Sequence, residues 1–233
     1  KSSARRQRRN SMFAGFTEET FSYFTAIRFC NNREFFLANH DWYVRAVREP
    51  LLDLAEALGD TVRAIDPELE TRPGRVLCRP NRDIRYSRDK SVYRDYMFLK
   101  FRRPGEERAS TVGLYFDISD GGASFGAGFY QPNMPRMNAL RTQIRLQPAL
   151  CEKRLDTGGF TLVGNVIKRM RVPEPVPQAL RPWYPLRSFY VEKEIRDFDL
   201  LKSPALAGEV ERGFRRIAPM VQFLQSLIPE END

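Results

Sequence analysis

A chain of 233 residues with 42% hydrophobic and 12% aromatic residues has room for a substantial core, which excludes a disordered or fibrous class. No uncharged apolar run reaches the ~18–20 residues of a membrane span, and no apolar stretch of the secretory kind follows the basic N-terminus, so no membrane association is expected. The net charge of +8 suggests nucleic acid, but Lys1, Arg5, Arg6, Arg8 and Arg9 supply five of those units, and residues 11–233 carry only +3. Arginine outnumbers lysine 31 to 7, a ratio that bidentate anion recognition and a biased base composition explain equally well. Cys30, Cys78 and Cys151 are odd in number and widely spaced, which favours reduced thiols in a cytoplasmic protein.

Residues 1–12 read as a basic tail, 13–228 as one α+β domain and 229–233 as a second short tail. The first helix is expected to start at Thr17, with Glu18 and Glu19 in its first turn and Phe16 stapled onto Phe21. Asn31-Asn32 ends it and caps the next. Asn32, Phe36, Asn39, Tyr43 and Val47 then fall on one face at helical spacing, which sets Asn39 between apolar neighbours. Pro50 fits the first position of a third helix, with Leu51, Leu54 and Leu58 inward.

Strand alternation takes over near residue 75. Segments 96–102, 111–119 and 123–131 each alternate, and the short connections between them predict an antiparallel meander. One face of the third segment, Ser124, Gly126 and Gly128, is almost bare, as where another element or a ligand comes close. Residues 134–147 return to helical spacing. The prolines of 173–185 predict an extended connector, Phe189, Val191 and Ile195 mark a further strand, and a long helix runs from about Pro204 to Leu227 with Pro219 inside it. The expected fold is thus α+β, with an N-terminal helical group and a long C-terminal helix packed on a largely antiparallel sheet.

The stretch Arg79–Arg94, RPNRDIRYSRDKSVYR, gathers six cationic side chains around two acids, Asp83 and Asp89. Guanidinium forks, the Lys90 ammonium and the Ser87 hydroxyl suit a phosphate or carboxylate. The plainer alternative is a set of ion pairs, Asp83 with Arg85 or Asp89 with Lys90, clamping a loop. Catalysis has less support, because His40 is the only histidine and has no nucleophile motif beside it. No cysteine pair has zinc spacing, and with neither a P-loop nor GxGxxG no metal or cofactor is expected. Asp83, Asp89, Asp117 and Asp120 would serve a metal-dependent phosphoryl-transfer or hydrolytic enzyme only if they converged.

Two blocks carry a resemblance to a known family. Asn31, Asn32, Arg33, Phe35, Phe36, Asn39, His40 and Tyr43 follow the pattern NN(R/K)xWFxxN(K/R)xxY, with Phe35 in the place of Trp and His40 in the place of the basic residue. Arg82, Asp83, Arg85, Tyr86, Ser87, Arg88, Asp89, Lys90 and Tyr93 follow RDxRFSKDKxPY, with Val92 in the place of Pro. The chain resembles, over about Met12 to Leu227, the family known as domain of unknown function 2461. That resemblance implies a compact α+β fold and assigns no reaction.

The expected ligand-binding set is therefore Asn32, Arg33, Asn39, Arg82, Asp83, Arg85, Ser87, Lys90 and Tyr93. Its two halves, Asn32–Tyr43 and Arg82–Tyr93, are expected to meet in space. Three function classes stay open: a binding protein for an anionic small molecule or nucleic acid, an enzyme of the kind above, and a protein-interaction scaffold.

Overall fold

A computed structural model describes residues 12–83, 85, 90–105 and 110–227. They form an α+β fold around a five-stranded sheet in the order β1-β2-β3-β5-β4, every neighbouring pair antiparallel. The strands are β1 (Tyr96–Phe101), β2 (Gly113–Ser119), β3 (Gly122–Phe129), β4 (Thr161–Val166) and β5 (Leu186–Ile195). The first three make the predicted meander. β4 was not anticipated, because most of its positions are exposed and it shows no apolar alternation.

The N-terminal helices are α1 (Glu18–Phe29), α2 (Arg33–Ala38) and a run made of α3 (His40–Tyr43), a π-helical turn (Val44–Arg48) and α4 (Glu49–Ile65). Asn32 caps α2 as expected, accepting from the Phe35 amide at 2.8 Å. The single apolar face expected through residue 47 is interrupted at Asn39, which ends α2. Pro50 does not open a separate helix. It lies just inside α4, and its missing N–H leaves the Ala46 carbonyl without the amide donor four residues on. The Thr20 hydroxyl of α1 donates to that carbonyl at 2.6 Å, in the interior. A π-turn where a helix must absorb a proline has a direct local cause here.

The expected staple between Phe16 and Phe21 does not form. Phe16 stacks on Phe116 of the sheet at 6.0 Å and Phe21 meets Phe198 edge-on at 4.9 Å, because α1 enters between β2 and the α8 (Phe198–Leu201) corner. After α4 come the short α5 (Pro73–Val76), the helices α6 (Met134–Leu146) and α7 (Pro148–Arg154), then α8 and α9 (Ala205–Ser226), which continues through Pro219. The proline-rich connector is ordered around buried Val176, Leu180, Trp183 and Tyr184. Arg141, itself buried on α6, holds it by donating to the Tyr184 carbonyl at 2.8 Å and to the Leu186 carbonyl.

The core lies between one face of the sheet and the pair α4 and α9. Leu99, Phe101, Phe116 and Phe125 point from the strands to Leu54 and Leu58 of α4 and to Phe214 and Ile217 of α9, all fully buried. Phe214 packs edge-on against Phe125 and Phe101, with ring centroids at 5.9 and 6.2 Å. Gly213 allows that approach, since a Cβ there would run into the Phe125 ring. Truncating one such phenylalanine to alanine is expected to cost about 3–5 kcal/mol. On the sheet's other face Lys100 and Ser188 are buried and Tyr115 and Asp117 half-buried. Among the described residues, no helix is long and apolar enough to cross a membrane.

Candidate functional site

The two flanks of the arginine-rich segment pair as the stem of an irregular hairpin. Isolated bridges pair Leu77 with Leu99 and Asn81 with Tyr93, the Arg82 amide donates to the Val92 carbonyl at 2.9 Å, and the Arg94 amide donates to the Pro80 carbonyl at 2.8 Å. The two motif blocks do meet at this stem. Phe36 of α2 stacks on Tyr93 with centroids 4.2 Å apart and planes 10° from parallel. The Asn31 carboxamide donates to the Tyr93 carbonyl at 2.9 Å and accepts from the Tyr93 amide at 2.8 Å. The residue that joins the blocks is thus Asn31, one position before the expected Asn32.

Other members of the expected set do local work. Asn32 is spent on its cap, and Asn39 donates to the Phe35 carbonyl of its own helix at 2.9 Å. Asp83 and Arg85 form the anticipated ion pair, with Arg85 Nη2 2.6 Å and Nε 2.9 Å from the two carboxylate oxygens. The guanidinium holds the Asp83 carboxyl at about 2, below the usual carboxylate range. Arg33 and Lys90 are exposed and Arg82 is half-buried. Ser87 lies outside the described residues, as do Tyr86, Arg88 and Asp89. His40 is exposed at the start of α3, with the rings of Phe36 and Tyr43 nearby. Among the described residues Asp83, Asp117 and Asp120 do not converge, for Asp83 pairs with Arg85, Asp120 with Arg28 at 2.5 Å, and Asp117 bonds Ser124. Among the described residues no three histidine, cysteine or acidic side chains come together.

The end of the segment leads onto the face of the sheet opposite α4 and α9. Arg94 lays its guanidinium over two rings of the edge strand, 5.5 Å from the centroid of Tyr96 and 5.5 Å from that of Phe98. Its Nη1 donates to the Tyr96 hydroxyl at 2.9 Å, while its Nε is enclosed without a hydrogen-bond partner. No carboxylate among the described residues comes within ion-pair distance of Arg94. The antiparallel register sets Phe98 opposite Asp117, Asp117 opposite Ser124, and Gly126 between Tyr115 and Glu192.

Gly126 and Gly128 account for the bare face predicted on β3. A Cβ on Gly126 would collide with the Val191 carbonyl of β5, so what comes close is the neighbouring strand itself. Above them the rings of Tyr115 and Tyr190 meet edge-on at 6.2 Å. Ser124 Oγ donates to Asp117 Oδ2 at 2.9 Å. Burial pushes the Asp117 carboxyl up to about 6 against that hydrogen bond, and the Glu192 charge adds to the rise. Burial, then the charge of Glu194, raises Glu192 as well. The Tyr115 hydroxyl is raised by burial and by the Asp117 charge; it is enclosed beside Ser124, whose own hydroxyl is already given to Asp117.

Arg94, Tyr115, Ser124 and Glu192 were not among the expected site residues. The signal that could have found them is parity, because Tyr115 and Asp117 on β2 and the glycines on β3 sit opposite the apolar positions of their strands.

A comparison with curated proteins gave no match. The model of the family described as "Conserved hypothetical protein (DUF2461)" matches residues 19–223, which include the Asn31–Tyr43 block, the arginine-rich segment and every strand of the sheet, and the chain belongs to that family.

Proposed function

We propose that this protein binds an anionic ligand, a phosphate- or carboxylate-bearing small molecule, where its arginine-rich segment runs onto the face of the sheet opposite α4 and α9. Arg94 carries this reading. It is a guanidinium with no carboxylate partner among the described residues, backed by two aromatic rings and anchored by one bond to Tyr96. Forked donors fixed against apolar surface are what planar anions favour. The hairpin stem fixed by Asn31 and Phe36 holds that guanidinium in place. Cys30, Cys78 and Cys151 form no disulfide with one another, which suits a reducing, cytoplasmic setting.

The test is a thermal-shift titration of wild type and Arg94→Gln with sulfate, inorganic phosphate, acetate and nucleotides at low and high salt. Wild type is expected to gain stability as RT ln(1 + [L]/Kd), with the gain lost in Arg94→Gln. If no anion shifts wild type, the reading is wrong. Asp117 supports a second reading, a hydrolytic enzyme: a carboxylic acid with its pKa near 6 beside another carboxylate is equipped for general acid catalysis.

A further inference from the structure

Arg94 shares its face of the sheet with the opposite charge. The guanidinium lies over Phe98, and Phe98 stands directly opposite Asp117 on the adjacent strand. Beyond Asp117 stands Ser124, and in the next row the side chains of β3 fall away at Gly126, between Tyr115 and Glu192 of β5. Arg94 does not neutralise these acids, because it is turned onto Tyr96. Neither Asp117 nor Glu192 has a cation within ion-pair distance among the described residues: Lys193 and Arg196 pair with Glu209 and Glu194, and Lys100, on the same face opposite Tyr115, lies over the Tyr130 ring at 5.8 Å. The gap is bordered by the edge-on rings of Tyr115 and Tyr190.

We infer that the ligand of this face is zwitterionic, its anion taken by Arg94 and its ammonium-type cation by Asp117 and Glu192, against the rings of Tyr115 and Tyr190. The inference rests on the anion reading above and names the substrate class for that site. A half-buried carboxylate without a counter-charge is costly, and a ligand cation is the group that would relieve it. Aromatic faces add to the attraction for the same charge. The raised Asp117 and Glu192 carboxyls agree with the missing cation. Adjacent strands lie about 4.8 Å apart, so a molecule whose charges are separated by a few bonds spans Arg94 and Asp117. A hydrated divalent ion is a poorer fit, since no third acidic, histidine or cysteine ligand joins the pair among the described residues.

Isothermal titration calorimetry of the full chain tests this with single-charge probes (sulfate, acetate, methylammonium) and two-charge probes (glycine, β-alanine, γ-aminobutyrate, O-phosphoethanolamine). At least one two-charge probe is expected to bind tenfold or more tightly than either of its halves. Asp117→Asn should abolish that gain and keep sulfate binding, and Glu192→Gln should reduce it, with thermal melts showing that both variants are folded. Two-charge probes that bind no better than sulfate would overturn the zwitterion and leave the anion reading standing. No binding of any anion, with or without methylammonium binding, would remove the anion reading and the zwitterion together. A two-charge gain that survives both substitutions would also overturn the assignment.

Discussion

The side chain of Asn31 pairs with the backbone of Tyr93 as a second strand would, giving one N–H and taking one carbonyl's place across 62 residues of sequence. This amide ring, with the Phe36 ring stacked on Tyr93, is what fastens the arginine-rich hairpin to the helical group. Asn31→Ala leaves both backbone groups of Tyr93 without these partners in a half-buried place. The expected loss is about 1–3 kcal/mol in urea unfolding. Asn31→Asp keeps the acceptor and loses the donor, and should fall between wild type and alanine. A variant equal to wild type would show that water replaces the amide at no cost.

A similar dependence on a distant partner governs the π-turn. Pro50, four residues after Ala46, has no N–H to give its carbonyl, and the Thr20 hydroxyl donates to that carbonyl at 2.6 Å. Thr20→Val preserves shape and removes that donor, so a buried carbonyl loses its side-chain partner. Stability is expected to fall by about 1–3 kcal/mol. Thr20→Ser, which retains the hydroxyl, should recover most of it. A Thr20→Val variant as stable as wild type would show that the hydroxyl bond to Ala46 contributes nothing.

The elements visible in the sequence were those whose buried residues recur at one period. Phe116 and Ile118 alternate with Tyr115 and Asp117, and Phe214, Ile217, Val221 and Leu224 keep the helical step, so β2 and α9 were legible nearly to their ends. β4 was not, because TLVGNV spends a glycine and an asparagine inside the strand and buries little. α7 was missed for the same reason, with Cys151 its one fully buried residue. The join of α3 to α4 was hidden because Thr20, far away in sequence, decides it. Candidate-site residues divide likewise. The cationic density of Arg79–Arg94 is a local property of the chain, whereas the meeting of Arg94, Asp117 and Glu192 on one face depends on β3 lying beside β5. No local pattern records that order.

Glycine on β3 offers a contrast between two alanine substitutions. At Gly126 the new Cβ meets the Val191 carbonyl, and relief would require β5 to move away from β3. Gly126→Ala is expected to destabilise by about 2–4 kcal/mol. At Gly74, in α5, nothing lies within 4 Å of the new atom. Gly74→Ala should be neutral or gain about 0.4–1 kcal/mol, by restricting the unfolded chain. Chemical denaturation of both variants checks the pair. Equal stabilities would mean that the close approach of β5 to Gly126 is not a constraint.

Asp117 sets a pH dependence of defined sign. Its carboxyl is raised in the folded state to about 6 from an ordinary 3.8, first by burial, so the native protein binds a proton that the unfolded chain has already released. Its contribution to stability is therefore fullest below about pH 4 and is lost as the pH rises toward 6 and beyond. Asp117→Asn keeps an acceptor for the Ser124 hydroxyl and removes the charge. The variant should equal wild type near pH 3.5 and exceed it by about 1–3 kcal/mol at pH 7, a difference that opens between pH 4 and 6.5. Glu70, which Arg72 holds at about 2, and the other shifted carboxylates are common to both proteins and cancel in the comparison. Urea melts of the two proteins across this range measure it. A constant difference at every pH would show that the substitution acts through packing, and a wild type more stable than the variant at pH 7 would mean that the Asp117 charge already has a stabilising partner.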